Sequence, residues 1–174
     1  MQYLNEEASR AWAAGHGYRV NDSFGHPLAG EVSAPLRFVI PADAGARVAL
    51  ARVLWEATGA GAAETLVWVT EHGVWPSGEH LPLAEAARRG FGAELTLHET
   101  PGHLARLGED DAALSILCLA VLFLWDCWVL PARGRPAVFV SHDEYGIVDT
   151  RGDDLGLAER FALLGVADDA ERAI

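Results

Sequence analysis

Two segments of this chain gather the residue types that move protons, attack carbonyl or phosphoryl centres, or hold metal ions. One runs Thr70-Glu71-His72-Gly73-Val74-Trp75-Pro76-Ser77-Gly78-Glu79-His80, the other Ser141-His142-Asp143-Glu144-Tyr145-Gly146. In an enzyme, His72 or His142 would be the base, since imidazole titrates near neutrality. Glu71, Glu79, Asp143 or Glu144 would orient that base or ligate a metal, and Ser77 or Ser141 would be the nucleophile. The catalytic candidates are thus Glu71, His72, His142, Asp143 and Glu144, and the candidate binding residues are Trp75, Ser77, Glu79, His80 and Tyr145. Neither serine sits in a G-x-S-x-G elbow and no H-E-x-x-H occurs, so the pattern assigns no metal and no cofactor. The structural alternative is that these residues cap helices and satisfy turn backbone, with Trp75 packed over them.

Both segments directly follow strong strand signals, Thr65-Leu66-Val67-Trp68-Val69-Thr70 and Ala137-Val138-Phe139-Val140-Ser141. Loops at strand carboxyl ends are the usual ligand sites of open α/β sheets. The two segments can meet only if their strands run parallel, which the sequence leaves open. Asp126 is a third candidate, a carboxylate expected at the end of an apolar helix, where it opposes the helix dipole and is costly to desolvate alone. Arg133 and Arg135 in the next turn supply a structural ion pair for it, the alternative being a functional carboxylate. His98 and His103, flanking Pro101-Gly102, are read as loop histidines rather than a metal pair.

Composition removes whole classes of chemistry. All 13 basic residues are arginine, so no lysine exists for a Schiff base, a pyridoxal enzyme, a Walker-A loop or a kinase site. With 25 acidic residues the formal net charge is −12, which repels nucleic acid and anionic membrane and attracts a basic protein surface. Cys118 and Cys127 lack C-x-x-C spacing and read as free thiols in a reducing compartment. Met1-Gln2-Tyr3-Leu4-Asn5-Glu6-Glu7 has neither the basic nor the apolar region of a signal peptide, which predicts a cytoplasmic protein.

The elements that must position these residues read in order. Asn5 caps a short helix ended by Gly15 or Gly17, and residues 16–35 are irregular. Leu36–Ile40 is a strand, Asp43 caps a helix with the stripe Ala46, Leu50, Val53, Leu54 and Ala57, and Gly59-Ala60-Gly61 stops it. Thr65–Thr70 is an interior strand, Pro82 opens a helix to Gly90, and Leu95-Thr96-Leu97 is a further short strand. Asp110 and Asp111 open a helix that is apolar all round to Trp125, shorter than the roughly 20 residues a bilayer requires. Cys127–Leu130 and Ala137–Ser141 form an antiparallel C-terminal hairpin. A last helix, about Leu155–Leu164, follows Asp153 or Asp154 and stops at Gly165. The expected fold is one α/β (α+β) domain over 1–174, a mixed sheet with helices packed on it.

The pattern V-T-E-H-G-V-W-P-S-G-E from Val69 to Glu79, E-T-P-G-H-L from Glu99 to Leu104, F-L-W-D and F-V-S-H-D-E-Y resembles an uncharacterised family of bacterial proteins. In that family a W-P-S segment followed by a glutamate recurs with a later S-H-D-E. The resemblance covers about residues 36–150 and implies no activity, cofactor or catalytic residue. Gly78 and His80 stand where more polar and amide residues are expected.

Two functional readings follow. The leading one is a small acidic binding module, of the immunity or inhibitor kind, that recognises a basic protein partner. The alternative is a hydrolase or metal-assisted hydrolase built from the 71–80 and 142–144 loops. A structural subunit is a third, and oligomeric state is not legible in the sequence.

Overall fold

Helix boundaries fall where capping chemistry puts them. The Asn5 side chain accepts a hydrogen bond from the Ala8 N–H at 2.8 Å and opens α1 (Glu6–Gly15). Asp43 accepts likewise from Ala46 at 2.8 Å and opens α2 (Ala44–Ala57). Pro82 lies in the first turn of α3 (Leu81–Gly90), where its missing N–H costs nothing. In α4 (Asp110–Phe123) the helix stops because Leu124 adopts φ 54°, and α5 (Leu157–Leu163) is followed by Gly165 at φ 67°. The computed structural model describes residues 1–18, 35–59, 63–72, 80–132, 136–150 and 156–167. The proposed caps Asp153 and Asp154 and the hairpin arginines lie outside that set.

Seven strands form one sheet: β1 (Gln2–Leu4), β2 (Leu36–Val39), β3 (Thr65–Glu71), β4 (Gly102–Ala105), β5 (Asp126–Pro131), β6 (Ala137–Val140) and β7 (Tyr145–Asp149). Their order is β1-β4-β3-β5-β6-β7-β2. The α/β class and the C-terminal hairpin are as expected. Within that class the sheet is antiparallel at every pair rather than mixed. The alternation β2-α2-β3 suggests neighbouring parallel strands; β2 and β3 do run in the same direction, but the meander β5-β6-β7 lies between them, and β2 pairs with β7 at the edge.

The two sheet faces carry two cores. Val67, Val69, Cys127, Val129, Val138 and Val140 pack with Leu50 and Leu54 of α2, Ile116 and Leu117 of α4, and Phe161 of α5. Leu66, Trp68, Trp128, Leu130 and Phe139 form the smaller core with Trp12 and Ala13 of α1. The apolar circumference of α4 is thus explained by burial between α2 and the sheet. No helix among the described residues is long and apolar enough to cross a membrane.

Three short strands differ from the sequence reading. Leu95-Thr96-Leu97 is turn, held by the Leu97 N–H donating to Glu85 Oε1 at 2.6 Å, and the neighbouring strand is Gly102–Ala105 instead. β1 and β7 had no sequence signal. In β7, Gly146 is required by close packing, since a Cβ there would lie 2.1 Å from Cζ of the buried Phe38 ring.

Candidate functional site

Because β3 and β6 both pair antiparallel with β5, they run parallel to each other two strands apart. Their carboxyl ends, Glu71 and the Ser141–Glu144 turn, therefore reach the same sheet margin, where β5 begins at Asp126. Convergence of the two chemical segments is a consequence of this topology.

A β-bulge completes it. Trp68 pairs with Trp128 and Val69 with Cys127, but the next pair is Glu71 with Asp126, so Thr70 is the extra residue. Strict alternation from Val67 and Val69 would aim Glu71 at the large core. The inserted residue turns it to the face of Asp126, which is the usual effect of a bulge on the side chains beside it.

On the other side, β6 and β7 are joined by a hairpin turn in which residues 142–144 form a three-residue loop between Ser141 and Tyr145. The Ser141 N–H donates to the Tyr145 carbonyl at 2.8 Å, and Glu144, the last loop residue, lies at φ 65°. This is the common three-residue hairpin connection, a turn followed by one left-handed residue. The Asp143 N–H donates to Ser141 Oγ at 3.2 Å, so that hydroxyl serves the turn. Asp126 Oδ1 accepts from the His142 main-chain N–H at 2.7 Å and faces His142 Nδ1 at 2.8 Å.

The imidazole of His142 is thereby surrounded by carboxylates. Nδ1 is 3.7 Å from Glu71 Oε2, and Nε2 is 3.5 Å from Asp143 Oδ1. Side-chain exposure is 18% for His142 and 17% for Asp126, but 49% for Glu71 and 57% for Asp143. An ionised carboxylate only accepts, so the Asp126 contact places a proton on Nδ1. Burial acts to lower the His142 pKa, but the hydrogen bond and charge of Asp126, with Asp143 and Glu71 behind it, outweigh burial and raise it. Even with His142 protonated, the cluster carries more negative than positive charge. Glu71, Asp126 and His142 each offer a donor atom within 4.8 Å of the others.

The remaining sequence candidates separate from this cluster. His72 turns to the other side of the bulge, with ring centroids 6.1 Å from Trp125 and 6.4 Å from His98. Burial, with His98 and Arg88 adding to it, lowers its pKa. His80 stacks on Phe123 at 4.1 Å. Glu144 acts through its backbone, whose carbonyl accepts from the Ile40 N–H at 2.8 Å. Tyr145 is half-buried under the Arg37 guanidinium, 4.6 Å from its ring centroid. Trp75, Ser77, Glu79, Arg133 and Arg135 lie outside the described residues.

Asp126 is neither at a helix end nor deeply buried. The left-handed Leu124 ends α4 first, Asp126 opens β5, and its observed partner is His142. His103 is no loop residue but a fully buried member of β4. Its Nε2 accepts from Arg88 Nε at 2.9 Å, so Nδ1 carries the proton toward the Val67 carbonyl at 3.2 Å. Burial first, then the Arg88 charge, lowers the His103 pKa to about 3. Arg88, itself buried, directs its other donors to Glu85 and Leu95 O at 3.1 Å and to Thr100 O and Oγ1 at 2.8 and 2.7 Å. This hub fastens the 91–101 turns to the sheet. Nothing in the sequence marked Arg88, because one arginine on an amphipathic helix reads as solvated surface.

No family model matches the chain, and no curated protein or solved structure matches it.

Proposed function

We propose that the chain is a hydrolase whose attacking water is activated at the Glu71–Asp126–His142 cluster. The observation that carries this reading is the His142 ring, bonded to Asp126 at 2.8 Å with Glu71 and Asp143 on either side. A carboxylate-oriented imidazole flanked by further carboxylates is suited to taking a proton from water and returning it to a leaving group. With Ser141 Oγ engaged in the turn, water is the nucleophile rather than a serine. The V-T-E and S-H-D-E segments that carry the family resemblance contribute Glu71 and His142. One buried and one half-buried free thiol support a reducing, cytoplasmic location. The test is turnover of activated carboxylic and phosphoric esters by the full chain and by His142→Asn. Loss of a positioned base predicts a fall of about 10²–10⁴-fold in kcat. Equal rates in the two proteins, or no turnover above buffer, would overturn the proposal.

The acidic binding module remains a second reading, favoured by the net charge of −12 and by the exposure of Glu71 and Asp143 at one margin. Its partner would be a basic protein surface, steered by charge and released by salt. Capture of a basic partner at low salt, reduced by Glu71→Gln with Asp143→Asn, tests it. Capture that is indifferent to both salt and these substitutions refutes it.

A further inference from the structure

We infer that Glu71, Asp126 and His142 form a binding site for a first-row divalent metal ion of the Zn²⁺ or Mn²⁺ class. The inference deepens the hydrolytic reading and rests on the same cluster being the working centre; with His142 Nδ1 ligating, the ion rather than the imidazole would activate the water.

Geometry is the first support. An ion held at about 2.0–2.2 Å by nitrogen and oxygen donors requires those donors to stand about 3–3.5 Å apart. His142 Nδ1 is 2.8 Å from Asp126 Oδ1 and 3.7 Å from Glu71 Oε2, which brackets that range. All three donor atoms lie within 4.8 Å of one another, so small side-chain rotations bring them onto one ion. They come from three adjacent strands, β3, β5 and the end of β6, so the backbone holds them together before an ion arrives.

The surroundings of the ring are the second. A metal-ligating histidine usually presents its other ring nitrogen to a carboxylate, which fixes the ring and strengthens it as a donor. With Nδ1 on the ion, His142 Nε2 faces Asp143 Oδ1 at 3.5 Å, in the position of such an outer partner. Among the described residues the side-chain hydrogen bonds of Asp126 are both on Oδ1; when an ion displaces the Nδ1 proton to solvent, Oδ1 keeps the His142 main-chain N–H and turns its other lone pair from Nδ1 to the ion.

The donor set selects the class of ion. One imidazole and two carboxylates suit Zn²⁺ or Mn²⁺, whereas Ca²⁺ favours six to eight oxygens and soft ions favour thiolates. Cys127 is one residue from Asp126, but its side chain joins the opposite, fully buried core. Glu71 is half exposed, which leaves one side of the ion open to water, the arrangement by which a bound ion generates hydroxide near neutral pH.

The experiment uses full-length protein stripped with chelator and titrated calorimetrically with ZnCl₂ and MnCl₂ at pH 7.5. One ion per chain is expected for wild type, with affinity lowered at least about 100-fold in His142→Asn and about 10-fold or more in Glu71→Gln. Glu71→Gln alters a half-exposed side chain, and its far-ultraviolet circular dichroism should match wild type, so loss of binding there is not loss of fold. Cobalt(II) absorption in the visible region, altered by His142→Asn, is a second readout. No stoichiometric binding by wild type, or binding that both variants retain, overturns the inference, the latter placing the ion on other histidines. Binding without ester turnover keeps this site and removes the hydrolase. Undiminished turnover in chelator-stripped protein keeps the hydrolase and overturns the role of the ion in activating its water.

Discussion

The contact between Asp126 and His142 can be weighed by a double-mutant cycle of Asp126→Asn and His142→Gln in metal-stripped protein. Asp126 Oδ1 takes two bonds from one residue, the main-chain N–H at 2.7 Å and Nδ1 at 2.8 Å. Hydrogen bonds to a charged group contribute about 1.5–3 kcal/mol, and neutral ones about 0.5–1.5. Asparagine keeps an acceptor but loses the charge, so each bond weakens by about 1 kcal/mol, and the single substitution costs about 1.5–2 kcal/mol. His142→Gln leaves the main-chain bond intact, so the cycle isolates the side-chain bond. With 17% and 18% of the two side chains exposed, solvent reduces its coupling to about 1 kcal/mol. Urea unfolding of the four proteins, at constant m, measures it. A coupling below about 0.3 kcal/mol in proteins that all fold would refute the account of the turn as held by this carboxylate.

Two further outcomes follow from the Arg88 hub. Arg88→Met leaves Glu85, two main-chain carbonyls and His103 without their donor, and should lower stability by about 3–5 kcal/mol in urea unfolding, whereas a surface arginine would cost under about 1. His103, depressed to about 3, stays neutral in the fold while the unfolded chain protonates near 6.5. Its contribution is therefore complete above pH 6.5 and is lost as pH falls toward 3, at about 1.4 kcal/mol per unit. The stability gap between wild type and His103→Gln should narrow by about 2 kcal/mol from pH 6.5 to pH 5, and a constant gap would show that His103 is not held neutral.

Most of the helices were legible because caps and stops are local: Asn5, Asp43, Pro82 and Gly165 act on neighbours within one turn. The long strands were legible from β-prone runs, and the hairpin from two such runs around one turn. What escaped depended on partners far along the chain. β1 and β4 are short strands that exist because β1 pairs with β4 and β4 with β3. β7 begins at Tyr145-Gly146, and its glycine reads as a turn until the Phe38 ring is seen against it. The site was legible as two segments and one odd carboxylate. Their meeting was not, because it depends on β5 lying between β3 and β6, and no spacing among 71, 126 and 142 encodes that order.

A structural anchor and a functional carboxylate are not exclusive roles for Asp126, since Oδ1 meets both the main chain and the ring of His142. Oδ1 holds the hairpin turn through a main-chain N–H, and that work would fix Ser141–Tyr145 in any protein of this topology. The same bond sets where the His142 ring stands, and the bulge at Thr70 then brings Glu71 to that ring rather than to the valine core. A purely structural turn requires neither the bulge nor a third carboxylate at Asp143. Both add negative charge around the His142 ring, and both contribute to raising its pKa. The departure from alternation at Thr70 is thus the feature that brings Glu71 beside Asp126 and His142, and on it the proposed site depends.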